Sequence, residues 1–250
     1  MRNLLRAELL KLRTIRVTYG LLAGGAAMAA LSVVAVILTA GREEGGPPLH
    51  TAEGVRNVFA NGGSISVLTL VLGILVVTGE LRHGTITQTF LITPSRSRVI
   101  GAKVVAMALV GLVFGAVASL VVLAIGLPWL AAEDASARLL SADVLLPLTA
   151  GLASSALFGV IGVGVGALIR NQVAAVVTAL VWQFVLESAL VGLLPAVGKW
   201  LPQGAARALS QETLAEGSLL PAWAGGLVLL AYGVTFAAVG ARLLVRRDVT

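Results

Sequence analysis

The sequence predicts an all-α membrane protein with six transmembrane helices, and three observations carry that prediction. Of the 250 residues, 58% are hydrophobic and only 12% are charged, against about 25% charged in a soluble domain. Mean hydropathy is +0.97. The apolar residues also gather into six runs, each close to the roughly 20 residues that a helix needs to cross a bilayer. These values exclude a water-soluble enzyme and a disordered chain, because one core of this length could not hide so much apolar surface.

The runs place span one at about 17–40, span two at 62–79 and span three at 104–130, where Pro128 and Trp129 mark its end. Span four follows at 145–169, span five at 173–194 and span six at 222–241. Span one exceeds the roughly 7–15 apolar residues of a signal peptide and lacks a clear cleavage site, so it reads as an uncleaved anchor. No stretch between spans is long enough for a second domain. The chain reads as one membrane domain, residues 1–250, without a convincing internal repeat.

Charge sets the expected orientation. Arg2, Arg6, Lys11, Arg13 and Arg16 precede span one. Arg82, Arg96, Arg98 and Lys103 lie between spans two and three. Arg170, Arg242, Arg246 and Arg247 complete that side. The opposite side holds only Arg42, Arg56, Arg138, Lys199 and Arg207. The positive-inside rule therefore puts the first side, and both termini, in the cytoplasm. Most acids fall on the other side: Glu43, Glu44, Glu53, Glu133, Asp134, Asp143, Glu212 and Glu216. The net charge of +6 is thus a topology signal, and no nucleic-acid partner is expected.

Cysteine is absent, which excludes disulfides and Cys-based metal sites. The only histidines, His50 and His83, are far apart, so no metal site is expected. Nor is a nucleotide loop: a Walker A motif ends in Gly-Lys and then Ser or Thr. Of Lys11, Lys103 and Lys199, only Lys199 follows a glycine, and Trp200 comes next.

Several segments stand out. In the N-terminal MRNLLRAELLKLRTIR, Arg2, Arg6 and Arg13 share a helical stripe beside an arc of Leu5, Leu12 and Ile15. Such a helix suits the inner interface, although a plain positive flank has the same composition. The segment 79–103 is too long for a tight turn and too polar for a span. Gly84 and Pro94 bracket TITQTFLIT, about two turns of helix that Thr85 or Thr87 could cap. Ser95, Arg96, Ser97 and Arg98 then offer donors before span three begins near Lys103. A short helix held between two spans can act as a lever; a solvated positive loop is the plain alternative.

Within the spans, Glu187 is the one acid well inside an apolar run, with Gln183 one turn earlier on the same face. Such a carboxylate either lines a polar path or interface, or is protonated or hydrogen-bonded. Gly162 and Gly166 form a G-x-x-x-G in span four, read as close packing within the subunit ahead of a dimer seam. Trp200 and Trp223 suit an interfacial aromatic belt. Residues 195–221 exceed a simple hairpin and could partly dip back into the outer leaflet.

These residues resemble the membrane subunit of an ABC-2 type transporter, especially its actinobacterial permeases. The resemblance rests on Glu8-x-x-Lys11-Leu12 and on the run from Glu80 through Gly84-Thr85, Leu91-x-x-Pro94 and an arginine to Ala102-Lys103. It also rests on Arg170-Asn171-Gln172, on Pro195 and Trp200-Leu201-Pro202 before Gly204-Ala205-Ala206, and on Arg246-Arg247-Asp248. It implies a half-transporter that works with a second permease copy or a homologous permease. It also implies a separate cytoplasmic ATP-binding subunit that holds ATP and Mg; this chain would bind no cofactor and catalyse nothing. By the resemblance, residues 84–92 would be the coupling helix. Glu80 and Arg82 would be functional, with Gly84, Thr85, Thr89, Pro94 and Arg96 beside them. The family works mostly in export across the plasma membrane, on drugs, peptides, lipids and polysaccharides.

Other classes fit less well. Intramembrane proteolysis would need two facing acids, a His-Glu-x-x-His or a Ser–His pair at membrane depth, and none is present. An ion-coupled secondary transporter would be expected to show repeats and intramembrane charges. An ATPase-independent immunity or membrane-stress protein remains a further alternative.

Overall fold

The computed structural model describes residues 2–42, 46–85, 95–133, 141–211 and 219–246. All regular structure among them is helical, and six helices are long and apolar enough to cross a membrane. The chain is an all-α, multi-pass membrane protein. In chain order α1 is Arg2–Thr14 and α2, span one, is Arg16–Thr39. Span two is compound: α3 (Ala52–Ala60), a 3-10 segment (Asn61–Ile65) and α4 (Ser66–Arg82). Span three is α5 (Arg96–Ala132) and span four is α6 (Ala142–Leu168). Span five joins α7 (Gln172–Val181), a π-helical segment (Trp182–Glu187) and α8 (Ser188–Leu193). Two short helices, α9 (Pro195–Gly198) and α10 (Pro202–Leu209), lead toward span six, α11 (Ala222–Arg246).

The boundaries correct the sequence reading in four places. Span two begins ten residues earlier, because Thr51 caps α3 by accepting from the Gly54 N–H. Span three begins at Arg96 rather than near Lys103, so the donors placed ahead of it lie in its first turn. Pro128 does not end span three, which runs on to Ala132; proline removes one hydrogen bond near a helix end where few remain to lose. Ile15 does not continue the helical arc of Leu5 and Leu12, for it occupies the break between α1 and span one and is exposed.

Span four is the centre of the bundle, in contact with spans two, three and six. Lipid tails give no hydrophobic drive to bring helices together, so close backbone approach must do it. Its glycines permit that. A Cβ on Gly166 would lie 2.8 Å from the Ile74 carbonyl oxygen, and one on Gly162 would collide with the Leu70 carbonyl. The G-x-x-x-G thus packs span four on span two inside the subunit, as expected. Gly164 meets Phe236 of span six in the same manner. Spans one, five and six are peripheral and expose Leu31, Phe184, Leu193 and Leu227, which suits lipid-facing surface.

Candidate functional site

Six spans place Arg2 and Arg246 at one end of the bundle, the end rich in basic residues. There α1 turns its inner face onto spans two and three. Glu8 and Leu12, one turn apart, are its buried positions. Glu8 does not enter an apolar core unaccompanied. Lys103 of span three donates to Glu8 Oε2 at 2.8 Å and to Glu80 Oε1 of span two at 2.7 Å. Lys11, one turn beyond Glu8, donates to Glu8 Oε1 at 2.9 Å and to Glu80 Oε1 at 2.8 Å. Two acids and two lysines form one neutral cluster that joins three helices.

Side-chain exposure is 0% for Lys103, 3% for Glu8 and 12% for Glu80, against 43% for Lys11. Three of the four charges have left water, so each depends on its partners. The Lys11 ammonium lies outside the spans. Burial works against its charge, but the hydrogen bonds and negative charges of Glu80 and Glu8 prevail and hold its pKa above the ordinary 10.5.

The cluster has a mechanical consequence. Glu80 is the last acid before the segment that leaves span two, and Lys103 follows that segment's return into span three. Their ion pair closes the two roots of the 79–103 segment on each other, and α1 is bound to both. A displacement of either root therefore reaches α1 and the other span.

The remaining expected residues divide. Arg82 is exposed and belongs to no ion pair among the described residues, so Glu80 and Arg82 do not form one site. Gly84 takes φ +68°, a left-handed turn that glycine accepts readily, and ends the extension of span two. Thr85 follows it, exposed. Residues 86–94, and with them the bulk of the expected coupling helix, Thr87, Thr89 and Pro94, lie outside the described residues, as does the side chain of Arg96. Arg96 itself opens span three.

At the opposite end, Glu187 has a definite partner. The peptide N–H of Gln203, at the start of α10, donates to its carboxylate, with the Gly204 N–H, the Trp182 indole and Arg207 beside it. The residue before α10, Leu201, has no capping side chain. Glu187 supplies that cap from another helix, satisfying N–H groups at a helix start where a negative charge is favourable. This is the hydrogen-bonded alternative for Glu187, with α10 rather than Gln183 as partner. It also fixes the segment between spans five and six: α10 buries Gly204, Ala205 and Ala208 and packs against span six. Residues 195–211 therefore hold two short helices, of which α10 is docked, while 212–218 lie outside the described residues.

Gln183 is buried and faces a cavity of about 230 Å3 with Asn61, Ser64, Ser154, Gln203 and Arg207. The 3-10 segment of span two and the π segment of span five both border it. Irregular backbone at membrane depth is tolerated where it is buried in protein or lines a cavity, and here both breaks meet one polar space.

Sequence reasoning assigned Glu8, Lys11 and Lys103 no role of their own. A lysine inside a long apolar helix, with an acid in each of two neighbouring helices, was the available signal. No protein-family model matches the chain, and no curated protein matches it either.

Proposed function

We propose that the chain is the membrane subunit of an ABC-2 type exporter, placed in the plasma membrane with both termini in the cytoplasm and driven by a separate ATP-binding subunit. The observation that supports this most is the Glu8–Lys11–Glu80–Lys103 cluster. Two stretches on which the resemblance rests, 8–12 and 80–103, lie far apart in sequence, and both contribute to this one buried node. The node sits where force from a cytoplasmic partner would have to enter. A partner that pushed on the 79–103 segment would act on spans two and three together, and α1 would follow. The positive charge of this end supports the cytoplasmic assignment.

Transport would then proceed by alternating access, powered by ATP and Mg on the partner. The polar cavity bordered by the two helix breaks, roofed by α10 through Glu187, is the position from which cargo would leave. A second permease, identical or homologous, would cover the exposed faces of the peripheral spans.

The test is affinity purification of the chain from native membranes in mild detergent, with mass spectrometry of the associated proteins. The expected result is a soluble protein carrying a Walker A loop in near-equal amount. An intact membrane complex without any such protein would refute the assignment.

A further inference from the structure

Four polar side chains around the cavity beside α10 have no partner in the protein. The cavity, about 230 Å3, lies among the 3-10 segment of span two, span four, the π segment of span five and α10. Gln183 and Ser154 line it at 6% and 3% exposure. Neither side chain has a hydrogen-bond partner among the described residues; the Ser188 hydroxyl, which does approach Gln183, donates to its main-chain carbonyl. The Ser64 hydroxyl and Gln203 Oε1, also in the lining, are enclosed and likewise unpartnered.

Buried polar groups are ordinarily paired, because an unpaired one has given up its bonds to water for nothing. Four around one space call for an occupant that bonds to them. Serine hydroxyls both donate and accept, and a side-chain amide carries an acceptor and two donors. No acid lines the cavity among the described residues, and its one ionised group, Arg207, stands beside Glu187. An anion would leave the amide carbonyls without donors, and a cation would meet Arg207. An apolar molecule would leave all four groups unpaired, which a site built for hydrogen bonding rejects strongly. A hydroxyl answers a serine or either end of an amide, and Val67 and Phe158 add apolar surface for the C–H face of a ring. An apolar cavity of about 150 Å3 admits benzene, so this space takes one six-membered ring with its hydroxyls and no chain of rings.

We infer that the cavity binds one free, uncharged polyhydroxylated ring of about hexose size, held at its edge by Gln183, Gln203, Ser154 and Ser64. The site lies within a single chain, and binding requires no ATPase. Its failure would therefore leave the transport reading to the partner purification, and the lack of an ATPase partner would leave this site intact.

Ser154→Ala and Gln183→Leu each remove a polar group that bonds to nothing else among the described residues, so neither costs the fold a hydrogen bond. Gly63 lines the cavity, and a Cβ built there meets no atom within 4 Å; Gly63→Leu takes up the space. The experiment uses the full chain in phosphatidylcholine nanodiscs, which carry no sugar head as glycoside detergents do. The probes are tritiated D-glucose, D-galactose, D-mannose and myo-inositol, read by scintillation proximity. Unlabelled glucuronate and cyclohexanol serve as competitors.

At least one probe is expected to bind saturably, with glucuronate and cyclohexanol competing at least about tenfold more weakly than the same polyol unlabelled. Ser154→Ala and Gln183→Leu are expected to weaken that binding about tenfold at an unfolding temperature no lower than that of the wild type, and Gly63→Leu to abolish it. Absence of binding by all four probes would mean that the cavity holds only water and would overturn the inference. So would equal competition by glucuronate or cyclohexanol, binding that survives Gly63→Leu, or binding unchanged in both polar variants. A lowered unfolding temperature in both polar variants would assign Ser154 and Gln183 to the fold and overturn it as well.

Discussion

Replacing Lys103 by Met keeps the length of the side chain and removes its charge. Two charge-assisted hydrogen bonds, at 2.8 and 2.7 Å, disappear. Glu8 Oε2 loses its partner in a site where the Glu8 side chain is 3% exposed, and the neutral cluster becomes negative. Removing one partner of a buried ion pair costs about 3–5 kcal/mol. For a chain of this size each kcal/mol moves the unfolding midpoint by roughly 2–4 °C. The expected fall is therefore roughly 6–20 °C. The four tryptophans allow it to be followed by intrinsic fluorescence in detergent, with Arg6→Met, an exposed position on α1, as control. The double variant Lys103→Met with Glu80→Gln leaves only Glu8 and Lys11 charged. Neutrality returns, and a large part of the loss is expected to be regained. A single-variant cost below about 1 kcal/mol, the range of an exposed pair, would refute the reasoning. So would strict additivity of the two substitutions.

Glu187→Ala removes the cap on α10 and leaves a buried N–H unpaired, a loss of about 1–3 kcal/mol; trypsin cleavage after Lys199 and Arg207 is expected to quicken, while Glu187→Gln, which keeps an acceptor, is expected to change it little. Gly162→Val forces span four from the Leu70 carbonyl and is expected to abolish stable assembly, whereas Gly192→Ala, with nothing within 4 Å of its Cβ, should be neutral by the same fluorescence measurement. Because the Lys11 pKa is raised above 10.5, its contribution is fully present below that pH and disappears as pH rises through the higher folded value. The unfolding temperature of the wild type should therefore fall in strongly alkaline buffer, and that of Lys11→Met should lose this part of the dependence. Glu80→Ala is expected to reduce ATP-driven transport without preventing membrane insertion, and Arg82→Glu, at a residue outside the cluster, tests whether the segment's charge also contributes; wild-type transport in both would remove these residues from the coupling role.

The spans were legible because a bilayer imposes a length on apolar runs, and residues 145–169 and 173–194 came within a few positions of the helices. Span two was not, since α3 carries Glu53, Arg56 and Asn57 and reads as loop. Arg56 is tolerable there because it pairs with Asp143 of span four at 3.4 Å, a contact no local pattern reveals, and Glu53 is exposed. The cluster was half legible. Glu80 stood out within its segment, but Lys103 looked like a topology charge, because composition cannot show that a lysine at the head of a span faces two acids instead of water. Glu187 was visible as an anomaly, and its partner was not, because a helix start sixteen residues later offers only peptide N–H groups, which leave no trace in side-chain sequence. Gly162 and Gly166 were read correctly because small residues four apart constrain helix approach locally.

The central claim is that the cluster clamps α1 to spans two and three. The absence of native cysteine allows a direct measurement: spin labels at Arg6→Cys on α1 and Arg98→Cys on span three, with their separation read by pulsed electron resonance in nanodiscs. A single narrow distance that broadens when Lys103→Met is added is the predicted result. A broad distribution in both proteins, or a narrow one that Lys103→Met leaves unchanged, would contradict it.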